Sequence, residues 1–271
     1  MTQNIWLTEH PYLQTMAEFQ CLVSATAAEV TIPSSSIPTW HDYTCDFQRG
    51  VPLLWSLSVV IEIGPAECAL TSLVERLASK SLPEQLPEEI RVLAAEFRSN
   101  LDAPRYAMEW LLNKDSFSST YPGLLHYLGW MVLARYLSIV VRAFGSWRNE
   151  ERWLRNYCPT CGSPPAMGQL VGIDPGRLRL LSCGCCGTRW RYRRTGCPFC
   201  QTEDDHRLAV IAVDGEGGLR IDYCESCGGY LKTYNGEGNE TLLLADWTSL
   251  HLDIVACDRG LKRLAGSLYQ L

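Results

Sequence analysis

The sequence predicts an α+β fold: an all-α N-terminal half, then two tandem β-hairpin modules and a C-terminal helix. Three observations carry this expectation. Apolar residues recur at helical period through the first half of the 271 residues. After it the pattern changes to short alternating runs set off by glycine-rich turns. Ten of the 13 cysteines lie after residue 157, a break in composition that divides the chain near Asn156. The expected organisation is 1–156 helical, 157–194 and 195–240 one hairpin module each, and 241–271 a C-terminal helical segment.

In the first half, Ala69, Leu70, Leu73, Val74 and Leu77 form one apolar stripe. Ile90, Leu93, Ala94 and Phe97 repeat it, with Pro87 suited to a first turn and Glu88 and Glu89 favourable near a helix N-terminus. Asp102 and Pro104 start another helix leading to Ala107, Trp110 and Leu111. The longest candidate runs from Pro122 to Trp147, offering Leu125, Leu128, Val132, Ile139, Val140 and Phe144 for burial. Arg135 and Arg142 inside that apolar stretch argue for a buried core helix, since each arginine near a membrane centre would cost about 2.5–3.5 kcal/mol. Loops are marked at Ile32 to Pro38 and Gly50 to Pro52.

In the second half, Leu178 and Leu180 alternate with Arg177 and Arg179 after an Asp174-Pro175-Gly176 turn. Leu219, Ile221 and Tyr223 alternate after the Gly215 to Gly218 turn, facing the run Leu208 to Val213. A final amphipathic segment from Asp246 to about Leu264 reads as helix, with Asp246 placed to cap it.

Composition excludes several classes. With 46% hydrophobic residues the chain is not intrinsically disordered. A net charge of −6 and a pI of about 5.4 argue against a protein that mainly coats nucleic acid. The stretch from Met1 to Phe19 lacks a basic region followed by an apolar one, so no export signal is expected and the expected location is cytoplasmic.

The cysteines carry the chemistry. Four C-x-x-C pairs occur, Cys158/Cys161, Cys183/Cys186, Cys197/Cys200 and Cys224/Cys227. Two thiolates at this spacing can be aimed from one tight turn at a metal about 2.3 Å away, and two such pairs complete a tetrahedron. Cys158 to Cys197 and Cys161 to Cys200 are 39 residues apart, while Cys183 to Cys224 and Cys186 to Cys227 are 41. This internal repeat assigns one site to Cys158, Cys161, Cys183 and Cys186, and a second to Cys197, Cys200, Cys224 and Cys227. Interleaved pairing stays open at this stage. Cys185 sits between ligand positions and is read as a non-ligand.

Disulfides would be unusual without an export signal, and thioredoxin-like C-P-x-C chemistry lacks its βαβ context. The expected cofactors are therefore two mononuclear metal ions, iron or zinc, each held by four cysteine thiolates. Saturated sites leave no open position for a catalytic water. Eight thiolates with two divalent ions would move the formal charge from −6 to about −10.

Other candidates are bland. Cys21, Cys45, Cys68 and Cys257 read as buried small hydrophobes, and His10, His41, His126, His206 and His251 show no ligand spacing. Arg189-Trp190-Arg191-Tyr192-Arg193-Arg194 alternates basic with aromatic residues, as a nucleic-acid surface does. The reading preferred here is an exposed strand linking the modules, with arginines offsetting thiolate charge.

Four segments resemble the FdhE family of formate dehydrogenase accessory proteins: Cys158-Pro159-Thr160-Cys161-Gly162-Ser163-Pro164-Pro165; Leu180-Leu181-Ser182-Cys183 with Cys186-Gly187-Thr188-Arg189-Trp190; Cys197-Pro198-Phe199-Cys200; and Cys224-Glu225-Ser226-Cys227-Gly228-Gly229-Tyr230-Leu231-Lys232. Leu244-Ala245-Asp246-Trp247 and Ser249-Leu250-His251-Leu252-Asp253 are similar to that family's closing segment. The resemblance implies a helical domain followed by tandem rubredoxin-like metal modules, most often associated with iron. It further implies a non-enzymatic cytoplasmic protein that contacts the catalytic subunit of molybdenum- or tungsten-dependent formate dehydrogenases during maturation. The chain departs from the pattern in the extra Cys185 and in ending soon after Leu264. A zinc-ribbon nucleic-acid-binding regulator is the alternative, and neither reading involves a membrane.

Overall fold

The computed structural model describes residues 1–80, 86–173 and 176–269. Helices α1 (Gln3–Glu9), α2 (Gln14–Glu29), α3 (Trp40–Arg49), α4 (Gly64–Ala78), α5 (Leu86–Ser99), α6 (Ala103–Leu111), α7 (Pro122–Tyr136) and α8 (Ser138–Trp147) build the N-terminal half. The predicted stripes on α4 and α5 are buried, as are Leu125, Leu128 and Val132 on α7. Prolines in the first turns of α4, α6 and α7 occupy positions whose N–H has no helical partner.

The single long helix expected from Pro122 to Trp147 is two helices bent by 60° at Leu137. The bend restarts the helical phase, so Ile139 faces solvent while Val140 and Phe144 turn inward. It also brings Phe144 and Trp147 of α8 onto Trp40, Tyr43 and Phe47 of α3, with ring centroids 5.5–6.1 Å apart. No single helix among the described residues is long and apolar enough to cross a membrane.

The second half is one sheet. Strands β1 (Met167–Val171), β2 (Leu178–Ser182) and β3 (Arg189–Tyr192) form one antiparallel unit. Strands β4 (Leu208–Ala212), β5 (Leu219–Cys224) and β6 (Tyr230–Asn235) form the other. The units join through parallel pairing of β1 with β6, giving the order β3-β2-β1-β6-β5-β4. The first strand of one repeat thus meets the last strand of the next. Gly168 permits this approach, because a Cβ there would lie 2.8 Å from Thr233 Oγ1. The Asp174-Pro175-Gly176 turn falls partly outside the described residues; Gly176 is within them, at φ 137°.

Two buried clusters organise the interior. One runs from α2 through α8 and continues into Cys158, Cys161, Cys183, Cys186, Leu181 and Trp190. The other joins Trp6, Leu13 and Ala17 to Ile211, Ile221, Tyr230, Trp247 and Leu252. Each therefore contains residues from both sides of the composition break.

After α9 (Glu240–Leu243), the predicted helix from Asp246 begins as a 3-10 turn, Asp246–Ser249, and continues as α10 (Leu250–Asp258). It stops at Gly260, at φ 74°. Asp246 does not cap it, because its carboxylate is engaged elsewhere. Lys232 Nζ lies 2.7 Å from Asp246 Oδ1 and 2.8 Å from Asp253 Oδ2, and Arg263 reaches the same two carboxylates at 2.6 and 2.7 Å. Tyr230 donates to Asp253 at 2.7 Å and Ser267 to Asp246 at 2.7 Å. Two cations and two carboxylates balance, which is the condition for burying them.

Burial alone would push the Asp246 carboxyl up, but Lys232 and Arg263 outweigh it and hold it at about 2. Its contribution to stability is thus present above the ordinary carboxyl value of about 3.9 and is lost as pH falls through about 2. Lys232→Met removes a fully buried cation and leaves its carboxylates underpaired, so a loss of about 3–5 kcal/mol is expected in urea melts at neutral pH. A loss below about 1 kcal/mol, the level of a surface pair, would show that the cluster does not hold the closing segment.

Candidate metal centres

Each C-x-x-C pair sits in the same knuckle. The N–H of its first cysteine donates to the carbonyl five residues on: Cys158 to Ser163, Cys183 to Thr188, Cys197 to Thr202 and Cys224 to Gly229, all at 2.9–3.0 Å. The residue after the second cysteine takes a left-handed backbone, at φ 79° for Gly162, 71° for Gly187 and 70° for Gly228. Gln201 does so at φ 62° without the freedom of glycine, at a cost of about 1–2 kcal/mol. Backbone N–H groups of Thr160, Phe199 and Gly229 point at Cys158, Cys197 and Cys227 Sγ at 3.4 Å, where they would stabilise thiolate charge.

The knuckles meet in sequential pairs. Cys158, Cys161, Cys183 and Cys186 place their sulfurs within 4.8 Å of one another, and so do Cys197, Cys200, Cys224 and Cys227. Interleaved pairing is not what the fold builds. The close contacts are Cys158···Cys186 at 3.5 Å and Cys161···Cys183 at 3.4 Å in the first cluster. In the second they are Cys197···Cys227 and Cys200···Cys224, both 3.7 Å. A tetrahedron with metal–sulfur bonds of about 2.3 Å has edges of roughly 3.8 Å, whereas a disulfide needs about 2.05 Å. The donor set therefore fits a tetrahedral metal, and all thirteen cysteines are free of disulfides. Cys185 lies outside the first cluster, with the Ser163 hydroxyl 3.7 Å from its sulfur.

Without a cation the thiols divide: against the effect of burial, hydrogen bonds from neighbouring thiols hold Cys186 low and those from the Cys227 and Ser226 backbone hold Cys224 low, while others resist ionisation. Burial pushes the Cys197 thiol up to about 12, and neighbouring thiols, Cys158 foremost, hold Cys161 and Cys183 high. A bound divalent ion reverses this balance and releases protons as it binds.

The clusters differ in setting. All four sulfur-bearing residues of the first are buried, whereas Cys200 of the second is exposed and Cys227 half-buried. The helical half grips the first knuckle through its backbone: Leu53 and Leu54 N–H donate to the Pro159 and Thr160 carbonyls at 2.9 Å. Tyr157 donates to Gly50 O at 2.8 Å, and Trp190 to Arg155 O at 2.9 Å. Thr160 and Thr188 join the two knuckles at 2.8 Å.

The remaining sequence candidates divide. Cys21, Cys45, Cys68 and Cys257, expected to be buried, are exposed, because they fall on the outward faces of α2, α3, α4 and α10. The Arg189–Arg194 stretch is only partly the exposed strand expected. Trp190 and Tyr192 are buried and unavailable to stack on bases, while Arg191 and Arg193 pair with Glu151 and Glu203. His10 and His251, assigned no role, converge with Glu216. No local spacing could have shown this, since the three lie on separate segments of the chain.

The difference in setting yields a prediction. Cys158→Ser and Cys200→Ser should each lower metal content by one ion per chain. Only Cys158→Ser should also loosen the helical half, read as faster amide exchange in α3 and α4. Equal protection in both variants would show that the first cluster is not part of the helical core.

Comparison with known proteins agrees with the cysteine pattern. Residues 157–194 match the family described as FdhE, central domain. The chain is 36% identical over 124 residues to a protein FdhE homolog of Pseudomonas aeruginosa, covering 42% of this chain and 39% of that one. It is 33% identical over 114 residues to a protein FdhE homolog of Aquifex aeolicus, covering 41% and 40%. These two matches span about two fifths of each relative's length. A longer match, 28% identical over 235 residues, covers 76% of this chain and 75% of protein FdhE of Escherichia coli. The crystal structure of the FdhE protein from Pseudomonas aeruginosa superposes with a TM-score of 0.60 at 20% identity, covering 92% of this chain and 84% of that one. The resemblance carried by the cysteine segments thus extends to the fold: residues 157–194 match the FdhE central domain, and the fold of the chain is similar to that of a solved FdhE protein.

Proposed function

We propose that this chain is a non-enzymatic accessory protein for the maturation of a molybdenum- or tungsten-dependent formate dehydrogenase, acting in the cytoplasm on its catalytic subunit. The observation that carries this reading is the pair of four-cysteine clusters on repeated knuckles within an FdhE-like fold. Cys158, Cys161, Cys183 and Cys186 hold one iron or zinc ion; Cys197, Cys200, Cys224 and Cys227 hold the other. The ions supply folding free energy to the 157–194 and 195–240 modules, which present a fixed surface together with the helical segment 1–156 and the closing segment 241–271. With four sulfurs at each ion there is no open position for substrate or water, so the work of the protein is binding. An assembly factor must prefer the immature client to the finished one, and that difference in affinity is the quantity to measure.

Pull-down of the catalytic subunit by the full chain should be stronger for its cofactor-free form than for its mature form, and deletion of the gene should lower formate dehydrogenase activity. Full activity after deletion, with no capture of either form, would refute the reading. Metal identity has its own measurement. Ferric iron in four thiolates gives strong visible absorbance and zinc none, so a coloured protein with two irons per chain is the expected outcome if both sites are rubredoxin-like.

A further inference from the structure

The two histidines without a role at the sequence level meet Glu216 at the junction of three segments. His10 follows α1, Glu216 lies in the β4–β5 hairpin turn, and His251 is on α10. His10 Nε2 is 3.1 Å and His251 Nε2 2.6 Å from the same oxygen, Glu216 Oε2. Glu216 is buried although it occupies a hairpin tip, held inward between Gly215 and Gly217, both at positive φ. Trp6 stacks on His10 with centroids 3.8 Å apart, and the Tyr12 ring packs edge-on against both imidazoles.

The hydrogen bonding orients one of the two rings. His10 Nδ1 lies 2.9 Å from the Trp6 carbonyl, which can only accept, so Nδ1 carries the proton. In the neutral ring Nε2 then presents a lone pair to a carboxylate oxygen, acceptor facing acceptor. A proton on Nε2 or on the carboxyl resolves this contact, and so does a metal ion between the two atoms. An imidazole whose far nitrogen donates to a backbone carbonyl is the arrangement found behind metal-bound histidines. Two imidazoles and one carboxylate form a donor set for zinc and similar borderline divalent ions.

We propose that His10, His251 and Glu216 form a third metal site, independent of the cysteine clusters, that takes a divalent ion of the zinc class. Bonds of about 2.0–2.1 Å to a tetrahedral ion put ligand atoms roughly 3.4 Å apart. The His10 contact is already near that spacing, and the shorter His251 contact has to lengthen as the ion enters. Three protein ligands leave the fourth position to water. The ion fastens the first helical turn of the chain to the second hairpin module and to α10, three segments joined otherwise through the second buried cluster.

The test uses the full chain. Zinc-loaded wild-type protein should contain three ions, and Glu216→Gln and His10→Ala should contain two. In a Co²⁺ titration of metal-free protein, two equivalents should bring thiolate charge-transfer absorbance. A third should add visible bands without it, and those bands should be missing from Glu216→Gln. Glu216→Gln preserves size and one hydrogen bond, so it remains informative if His10→Ala fails to fold. Two ions per wild-type chain, or an unchanged third equivalent in Glu216→Gln, would overturn the proposal, the former marking the cluster as one that shares protons only.

Discussion

The rest of the second half depends on one constraint: four sulfurs must converge within a few ångströms at each of two points. Sulfurs at 3.4–3.7 Å leave little freedom to the knuckles that carry them. Cys183 and Cys224 lie at the ends of β2 and β5, so placing the knuckles also places those strands. Each repeat then needs its third strand, β3 or β6, to continue from the second knuckle. The six strands are short, four to six residues each, and short strands buried on few neighbours hold poorly alone. The parallel seam between β1 and β6 compensates in part by joining the two units into one sheet.

The repeat is translated rather than mirrored, which explains why its copies live in different surroundings. Because β1 of the first unit meets β6 of the second, the first unit is left with β3 as its free edge and the second with β4. The first cluster is absorbed into the helical core and is gripped through the Pro159 and Thr160 carbonyls. The second is left at the surface with Cys200 exposed. The two sulfur clusters thus differ in access to water although their ligand types are the same.

What the sequence made legible was local. C-x-x-C spacing and the 39- and 41-residue offsets favoured the sequential grouping of the eight cysteines that the fold builds, because a knuckle is a short-range structure and the repeat is written along the chain. The α4 and α5 stripes were legible for the same reason. The features that escaped arise from pairings between distant residues. Nothing near Leu137 announces the bend, which is rewarded only when Phe144 and Trp147 reach α3. Asp246 carries the composition of a helix cap, but Lys232 and Arg263 claim it. The triad of His10, Glu216 and His251 spans most of the chain and follows no spacing rule.

The structure also divides the family-like segments by what they do. Tyr230, Lys232, Asp246 and Asp253 lie in segments that the sequence reading found similar to FdhE, and all four are buried and satisfied by one another or by Arg263. Lys232 is 1% exposed and donates further to the Asp246 and Ser249 carbonyls. A side chain so enclosed cannot meet a protein partner without unfolding the closing segment. Its resemblance to the family is therefore explained by shape: these residues lock the closing segment against β6 and thereby brace the second module. On the proposed reading, recognition of a client falls to exposed positions that this buried frame holds in place. Similarity in the motif residues therefore argues for a shared scaffold.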